Sequence, residues 1–259
     1  MSTIDLTFLG TCACDFSEKL EAELKDKLDY DARRSSSVLL GDTLLIDCGI
    51  HTLDSLRIIG KPINEISDIL ITHLHDDHFD IKNIAKIASD KDTPLRLWVR
   101  EDAELAEIEN VELVKMKLFE RYEIEEDLFV TGLLANHDSD ACPQHFLIEK
   151  GDKKIFYGCD GAWLLSPTYS FLENKCLDIA IIDCTVGDYV GDYRLATHNS
   201  VPMVRLMIPS LRTVRALKQE SKILLSHIAP SLHKPHFEIV KTAREFGAEV
   251  AYDGLKLTI

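Results

Sequence analysis

Short apolar runs that end in a histidine or an aspartate recur along this chain, and they constrain its fold more than any other feature. The run at 69–80, "ILITHLHDDHFD", passes directly from aliphatic residues to a cluster of histidines and aspartates. Its apolar part is short and continuous rather than alternating, which is typical of a buried strand. The carboxyl ends of strands meet at a common edge of a sheet, so polar groups that follow several strands can converge there. The pattern predicts an α/β protein with its site at the strand ends.

The order of strand and helix patterns indicates how the strands are arranged. Two hairpin signals, at Gly41-Asp42 and at Gly151-Asp152, each separate two apolar runs. Helical spacing follows strand patterns in "FDIKNIAKIASD" and in "HFEIVKTAREFGA". Because strands precede helices in both halves, we expect two packed sheets with helices outside.

Four segments give more specific expectations. Residues 17–34, "SEKLEAELKDKLDYDARR", are charged and helix-prone, which predicts an exposed insertion. The segment "EDAELAEI" at 101–108 predicts a short helix. Residues 201–218 predict a longer helix that Pro202 and Pro209 could break. The closing "EVAYDGLKLTI" predicts a terminal hairpin.

Charge and cysteine content restrict the classes of function. No apolar run approaches the roughly 20 residues of a membrane span, and "MSTIDLTFLG" lacks the basic segment of a signal peptide. Seven cysteines lie scattered without a paired framework, which indicates the reduced thiols of a cytoplasmic protein. The net charge of -15 opposes binding of extended nucleic acid. A small anionic substrate is compatible with it, because bound cations would neutralise part of the charge.

Candidate metal ligands follow five of the strand-like runs. Imidazole and carboxylate together suit zinc, manganese, iron or nickel, and the lack of clustered thiolates argues against a zinc finger. His73 and His75, two apart, point to one side of an extended segment, whereas Asp77 and His78 come after the chain has begun to turn. The motif can therefore face two ions, the usual arrangement for activating water. The candidates are Asp47, His73, His75, Asp77, His78, His137, Asp160 and His227.

The His-x-His-x-Asp-His motif resembles the HxHxDH signature of the metallo-β-lactamase fold superfamily, and the chain is most similar to its PhnP-like phosphodiesterases. The resemblance runs from residue 4 to the C-terminus. It implies an α/β fold, a four-layer αββα sandwich forming one domain over 1–259, with a dinuclear metal site. Asp160 stands where the name-giving lactamases have cysteine, so antibiotic hydrolysis is not expected. The implied first site is His73, His75 and His137, the second is Asp77, His78 and His227, Asp160 bridges them, and Asp47 supports them.

His198, in a polar loop before a predicted helix, is the residue that selects among the chemistries of this superfamily. PhnP-like phosphodiesterases and RNase Z-type nucleases have an extra histidine in this region that contacts the phosphate and protonates the leaving group. The resemblance then implies a phosphoester substrate rather than a thioester or lactone. Alternatively, His198 is a loop residue that caps the helix with Asn199 or Ser200.

Further polar residues give weaker signals. His233 and His236 could line the mouth of the site and contact an anionic substrate, although His236 could equally cap the final helix. Cys12 and Cys14 are interpreted as small buried residues near the site, because no second pair completes a zinc knuckle. Arg33 and Arg34 could meet a substrate anion, but we interpret them as a solvated charge pair.

Together these features predict a cytoplasmic hydrolase with two divalent ions that cleaves a small phosphodiester, such as a cyclic phosphate. A metal-activated hydroxide would attack phosphorus, with His198 and Asp77 as catalytic residues. A lactonase, thioesterase or glyoxalase II-type hydrolase, an RNase Z-like nuclease and a non-catalytic metal-bound scaffold are the alternatives. The sequence leaves open whether the chain forms a homodimer.

Overall fold

The computed structural model describes residues 3–259, with the backbone alone for positions 21 and 22, and its strands form two seven-stranded sheets. The strands are β1 (Asp5–Gly10), β2 (Ser37–Leu40), β3 (Leu44–Ile46), β4 (Asp68–Leu70), β5 (Leu95–Arg100), β6 (Val111–Met116), β7 (Arg121–Glu125), β8 (Leu128–Leu134), β9 (Gln144–Lys150), β10 (Lys153–Gly158), β11 (Leu177–Asp183), β12 (Leu217–Ser226), β13 (Glu249–Val250) and β14 (Lys256–Thr258). The helices are α1 (Lys19–Ala22), α2 (Thr52–Ile58), α3 (Ile81–Ser89), α4 (Ser166–Leu172), α5 (Val201–Thr213) and α6 (His236–Arg244).

The two sheets repeat one design. The first has the order β14-β1-β2-β3-β4-β5-β6, and the second has the order β13-β12-β11-β10-β9-β8-β7. In each sheet antiparallel hairpins come first, and parallel strands follow: β3 to β6 in one, β10 to β13 in the other. Both predicted hairpins are confirmed, β2 with β3 and β9 with β10. The parallel strands bring their carboxyl ends to one edge of each sheet.

Apolar side chains form three layers between the elements, so the four-layer αββα arrangement is confirmed. One layer lies between the sheets and contains Leu70 together with Phe146. A second lies under α2 and α3, where Ile69 and Ile71 point. The third lies between the second sheet and α4, α5 and α6. Both faces of the central strands are covered, which explains why their sequences are continuously apolar. The assignment of residues 1–259 to one domain stays a prediction.

Local signals explain where the helices begin. The Asp80 carboxylate accepts hydrogen bonds from two backbone N–H groups of α3, at 2.8 and 2.9 Å, so it is the N-cap that stops the preceding turn. Ser200 caps α5, and Pro202 lies in its first turn, where a missing N–H costs nothing. Pro209 lies inside α5, yet the helix continues to Thr213. The helix therefore spans most of the predicted segment, and β12 begins at Leu217.

Two expectations about secondary structure are wrong. Residues 101–108 form no helix; a turn and an irregular segment link β5 to β6 there, and Arg100 holds it through Asp102. The terminal hairpin does not form, because β13 pairs with β12 and β14 pairs with β1 in the other sheet. Between them the buried Asp253 accepts hydrogen bonds from Thr11 Oγ1 and from the backbone N–H of Arg34, which fixes this crossover.

The segment 17–34 is helical over four residues only, and it is not wholly exposed. Leu20, Leu24 and Ala32 form a small buried cluster. Arg33 and Arg34 are 1% and 2% exposed, so their interpretation as a solvated charge pair is wrong. Burial alone destabilises both charged guanidinium groups, but the nearby carboxylate of Asp253 is a counter-charge for each of them.

None of the helices among the described residues has the length and hydropathy that crossing a bilayer requires.

Candidate metal centre

The candidate ligands lie just beyond the carboxyl ends of strands from both sheets. Asp47 follows β3, the His73–His78 segment follows β4, and His137 follows β8. Asp160 follows β10 and His227 follows β12. The sheets face each other, so these strand ends open onto one space. The structure thus brings all the sequence-predicted ligands together.

Three ring nitrogens form the first group. His73 Nε2 lies 3.0 Å from His75 Nδ1, and His137 Nε2 lies 3.2 Å from the same atom. The Thr197 carbonyl lies 3.1 Å from His137 Nδ1, and because a carbonyl only accepts, that nitrogen carries the proton. The Nε2 lone pair of His137 therefore points into the group, as a metal ligand requires. The three atoms fit one cation.

The second group lies on the other side of His73. His78 Nε2 lies 3.3 Å from Asp77 Oδ2 and 3.1 Å from His227 Nε2. His73, Asp77 and His78 offer ligand atoms close enough together for a second cation. The tight turn after His75, where the N–H groups of His78 and Phe79 bond the His75 carbonyl, redirects the chain toward this group.

Asp160 lies between the two groups. Its Oδ2 is 3.5 Å from His137 Nε2, 3.4 Å from His227 Nε2 and 4.0 Å from His73 Nε2. The buried His145 holds the Asp160 backbone, since its Nε2 lies 3.1 Å from the Asp160 carbonyl. One carboxylate oxygen is thus within reach of ligands from both groups.

Asp47 supports the second group from beneath. Its Oδ2 lies 2.7 Å from His78 Nδ1, and its Oδ1 accepts hydrogen bonds from the backbone N–H and the hydroxyl of Thr72. Both Asp47 and His78 are fully buried. Burial alone lowers the pKa of His78, but the charges of Asp77 and Asp47 outweigh it and raise that pKa to about 10. His78 would hold an ion through Nε2, because Asp47 keeps the proton of the ring on Nδ1.

Asp183, at the end of β11, lies in the candidate site and was not among the residues predicted from the sequence. Its Oδ2 accepts a hydrogen bond from Thr185 Oγ1 at 2.8 Å and lies 3.1 Å from His227 Nδ1. The same oxygen is 3.5 Å from His198 Nδ1. The run "LDIAIID" carries the same signal as the other ligand positions, an apolar strand that ends in an acid. That signal could have found it.

His198 lies beside Asp160. Its Nδ1 is 2.7 Å from Asp160 Oδ1, close enough for an ion pair, although the hydrogen-bond geometry of that nitrogen favours Thr185 Oγ1 at 3.2 Å. Burial lowers its pKa, but the neighbouring charges of Asp160 and Asp183 outweigh burial and raise it to about 10. His198 does not cap α5; Ser200 does.

These groups open onto a cavity of about 220 Å³. Cys14 and Arg194 line it together with His75, Asp77 and His198, and Arg194 was not among the predicted site residues. Cys12 is buried, whereas Cys14 is exposed, so only the first matches the interpretation as a buried small residue.

The structure does not bring His233 and His236 to this cavity. His233 Nε2 lies 2.7 Å from the Cys184 carbonyl, and the ring lines a neighbouring cavity. His236 Nδ1 accepts a hydrogen bond from Arg33 at 2.9 Å, and its backbone N–H donates to Asp31. Its side chain does not cap α6 either.

The donor set fits divalent cations. Hydrogen bonds on the outer nitrogens of His78, His137 and His227 leave their Nε2 atoms facing inward, toward Asp160 and Asp77. Converging lone pairs and carboxylates repel one another unless protons or cations lie between them. In the protein without metal, burial opposes both charged groups, but the charge of Asp160 raises the pKa of His227 and the charge of His78 lowers that of Asp77. Divalent cations would replace the protons between these groups.

Comparisons with known proteins agree with this geometry. A family model described as "Anti-Pycsar protein Apyc1" matches residues 35–88, which include the histidine motif. An anti-Pycsar protein Apyc1 of Paenibacillus sp. (strain J14) is 58% identical over 36 residues, which are 14% of this chain and 15% of that protein. A ribonuclease Z of Mycolicibacterium gilvum (strain PYR-GCK) is 44% identical over 52 residues, 18% of each chain. The matched segment thus spans less than a fifth of these relatives.

Two solved structures match over nearly the whole chain. The metallo-β-lactamase fold protein YhfI from Bacillus subtilis has a TM-score of 0.77 at 16% identity and covers 100% of both chains. A diphosphatase from the PhnP family has a TM-score of 0.69 at 18% identity and covers 100% of this chain and 98% of its own. These similarities show that the chain has the metallo-β-lactamase fold.

Proposed function

We propose that this chain, with its metallo-β-lactamase fold, is a metal-dependent hydrolase that cleaves a small phosphodiester. The observation that carries the proposal is the position of Asp160, whose Oδ2 lies between the two ligand groups while its Oδ1 lies 2.7 Å from His198. Two cations that shared this carboxylate would activate water and polarise a phosphoryl oxygen. The ions would be zinc or manganese, with iron or nickel also suited to the ligands.

His198 has the properties of a general acid. The nearby carboxylates keep its pKa well above neutrality, so the ring carries a proton that it can donate to a leaving alkoxide. Asp183 and Thr185 hold the ring at the wall of the cavity. A phosphodiester with a poor leaving group needs such a proton donor, whereas a thioester or lactone needs it less.

Arg194 adds a permanent positive charge to the cavity wall. Its guanidinium is held by both oxygens of Asp192, at 2.8 and 2.7 Å, which fixes its orientation. A fixed guanidinium suits a phosphate oxygen. Among the described residues that line the cavity, Arg194 is the one arginine, so we assign it to binding of the anionic substrate.

A small substrate fits better than a polymer. The cavity of about 220 Å³ is small, and the chain carries a net charge of -15, which repels a polyanion. The similarity in fold to a structure described as a PhnP-family diphosphatase supports phosphoester chemistry. A cyclic phosphate is the form that we favour.

The test is hydrolysis of bis(p-nitrophenyl) phosphate by the full chain, loaded with zinc or manganese, beside a lactone and a thioester. We expect turnover of the phosphodiester and two metal ions per chain. The Asp160→Asn variant should lose both, while the matched Asp76→Asn variant, changed at an exposed position of the motif, should keep them. Turnover of the lactone or thioester, with an inert phosphodiester, would contradict the proposal.

A ribonuclease is the second candidate, because residues of this chain are 44% identical to a ribonuclease Z over 52 positions. A protein that grips RNA through its phosphates loses affinity steeply as salt rises. Salt-sensitive RNA binding, together with RNA cleavage, would favour the nuclease over the small-substrate enzyme.

A further inference from the structure

A cavity of about 380 Å³ lies beside the charged segment 17–34. Two aliphatic and four polar side chains line it: Leu20, Lys25, Arg34, Ile50, His51 and Asp54. We call it the Arg34 cavity. Among the described residues, it shares no lining residue with the cavity at the metal centre. A ligand bound here would therefore not touch the candidate metal ligands.

Arg34 carries a buried donor that the rest of the chain does not satisfy. Its side chain is almost wholly buried, and its Nη2 donates to the Leu24 carbonyl at 2.6 Å. Nη1 is buried as well, but it has no hydrogen-bond partner among the described residues. Leaving a buried donor unpaired is unfavourable, so folded proteins almost always satisfy such groups. The guanidinium therefore needs an acceptor from outside the chain.

Two buried arginines share one buried carboxylate in this region. Asp253 is the strongest counter-charge for both Arg33 and Arg34. In the described part of the chain it accepts hydrogen bonds from the Thr11 hydroxyl and the Arg34 backbone N–H, and from neither guanidinium. Burial lowers the pKa of Arg34 more than Asp253 raises it. One carboxylate thus leaves an excess of buried positive charge, which an anion beside Arg34 would offset.

Lys25 supplies a second cation to the Arg34 cavity. Its ammonium forms no salt bridge with a described carboxylate. Asp54 lines the same cavity, but its carboxylate lies 3.5 Å from Arg57, which balances its charge. Arg57 also donates to the Lys25 carbonyl at 2.7 Å, so the backbone of Lys25 is held beside the cavity. The cavity therefore presents two cations, Arg34 and Lys25, that have no carboxylate of their own.

Leu20 and Ile50 make part of the wall apolar. Leu20 is buried, whereas Ile50 is 43% exposed. The side-chain amide of Asn83 donates to the Gly49 carbonyl at 2.9 Å and to the Ile50 carbonyl at 3.3 Å, which holds Ile50 in place. An exposed aliphatic side chain beside two cations suits a ligand that has an apolar part next to its anionic group.

The wall that carries Ile50 and His51 is fixed by close packing. A Cβ at Gly49 would lie 1.9 Å from the Asp77 carbonyl, so only glycine allows this segment to pack against the histidine motif. The His51 N–H donates to Ser35 Oγ at 3.1 Å and holds the next residues. The Arg34 cavity is thus shaped by the fold before any ligand binds.

We infer that the Arg34 cavity binds a small organic phosphate, at a site separate from the metal centre. The phosphate oxygens accept from Arg34 Nη1 and from the Lys25 ammonium, and the organic part contacts Ile50. A phosphate group carries between one and two negative charges at neutral pH, which matches two cations. This site is independent of the hydrolytic reaction.

The test uses backbone amide chemical shifts, because they locate a bound ligand. Inorganic phosphate and phenylphosphonate, whose C–P bond a phosphodiesterase does not cleave, are titrated into the isotope-labelled, zinc-loaded full chain at constant ionic strength. The amides of Lys25 and Ile50 report on the Arg34 cavity, and those of His75 and His137 report on the metal centre. Both anions should shift the Lys25 and Ile50 signals to saturation. Phenylphosphonate should bind about fivefold more tightly than phosphate, because its ring buries apolar surface.

Two variants remove the cations in turn. Lys25→Gln should weaken phenylphosphonate binding at the Arg34 cavity about 10-fold, because a charge-assisted contact is lost. Lys27→Gln is the matched control, since Lys27 is exposed on the same segment and does not line the cavity; it should change binding by less than about twofold. Arg34→Gln should abolish the shifts at Ile50 in protein that circular dichroism shows to be folded. If that variant does not fold, the comparison of Lys25→Gln with Lys27→Gln still decides.

Three results would overturn the inference. The first is equal phenylphosphonate affinity in wild type and Lys25→Gln. The second is an absence of shifts at Lys25 and Ile50 at millimolar ligand, or shifts confined to His75 and His137, since the anion would then bind at the metal centre alone. The third is equal affinity for phosphate and phenylphosphonate, which would remove the organic part of the assignment.

Discussion

Replacing Asp47 by asparagine tests whether this buried carboxylate prepares His78 for a metal ion. The Asp47 carboxylate accepts hydrogen bonds on both of its oxygens. Oδ1 accepts from the backbone N–H of Thr72 at 2.8 Å, and Oδ2 accepts from His78 Nδ1 at 2.7 Å. An asparagine amide has one oxygen and one NH₂ group, so it cannot accept on both sides.

Either orientation of the amide is unfavourable. If its oxygen faces Thr72, its NH₂ faces His78 Nδ1 and drives the ring proton to Nε2, the nitrogen that would hold the ion. If its NH₂ faces Thr72, two donors meet in a fully buried place, which costs about 1–3 kcal/mol. Loss of such a supporting carboxylate typically weakens metal affinity about 10- to 100-fold, which is about 1.4–2.7 kcal/mol.

The assay is a competition titration with a chromophoric zinc chelator, on protein whose fold is checked by circular dichroism. Asp47→Asn should bind one ion about 10- to 100-fold more weakly than the wild type does. It should bind the other ion with nearly wild-type affinity. Asp76→Asn, an exposed position in the same motif, is the control and should match wild type. Wild-type affinity for both ions in a folded Asp47→Asn protein would refute the reasoning.

Three further expectations concern the leaving group, the pH dependence of stability and a helix cap. His198→Ala should slow the hydrolysis of a cyclic nucleotide by about 10²- to 10⁴-fold. It should slow the hydrolysis of bis(p-nitrophenyl) phosphate much less, because that leaving group needs no proton. Equal slowing of both reactions in steady-state kinetics would exclude the proton-donor role. Burial and the charge of Arg33 lower the pKa of His236 from its ordinary value of 6.5 to about 4 in the folded metal-free protein. Between pH 6.5 and pH 4, the unfolded chain therefore binds a proton at His236 that the folded protein does not. The free energy of unfolding should therefore fall by about 1–2 kcal/mol as the pH drops from about 6.5 to 4, after allowance for the partial exposure of His236. The urea unfolding midpoint of His236→Gln should fall less over the same pH range than that of the wild type. An identical fall in both proteins would contradict this linkage. Asp80→Ala removes the cap of α3 and should cost about 1 kcal/mol in thermal unfolding, and an unchanged midpoint would show that the cap contributes nothing.

The candidate metal centre can be predicted from the sequence because its signal is local. His73 and His75 lie two apart after a strand, and Asp80 begins a helix, so neighbouring residues determine where each side chain points. Asp183 carries the same signal as Asp47 and Asp160, a single acid after an apolar strand, but the resemblance to the superfamily implies no role for it. The helix expected at 101–108 is wrong because tertiary packing overrides helix propensity there: Ala103, Leu105 and Ile108 pack against the core from an irregular segment.

Arg33 shows what local reasoning cannot reach. It looked like a surface cation in a charged segment, but its guanidinium donates to the Ala251 carbonyl and to His236, residues more than 200 positions away. The final strand was misassigned in the same way, because β14 pairs with β1 at the other end of the chain. Contacts between such distant segments leave no periodic pattern in either of them.

By itself, the sequence determined the strands with two buried faces and the histidines and aspartates that follow them. Periodicity and spacing depend on neighbouring residues, and these are printed in the chain. Only the tertiary structure decided that Asp183 joins His198 to His227 and that His233 lines a cavity beside the candidate site rather than the site itself. Those relations arise when loops from different strands meet at one edge of the sandwich, and the packing of the two sheets fixes that meeting.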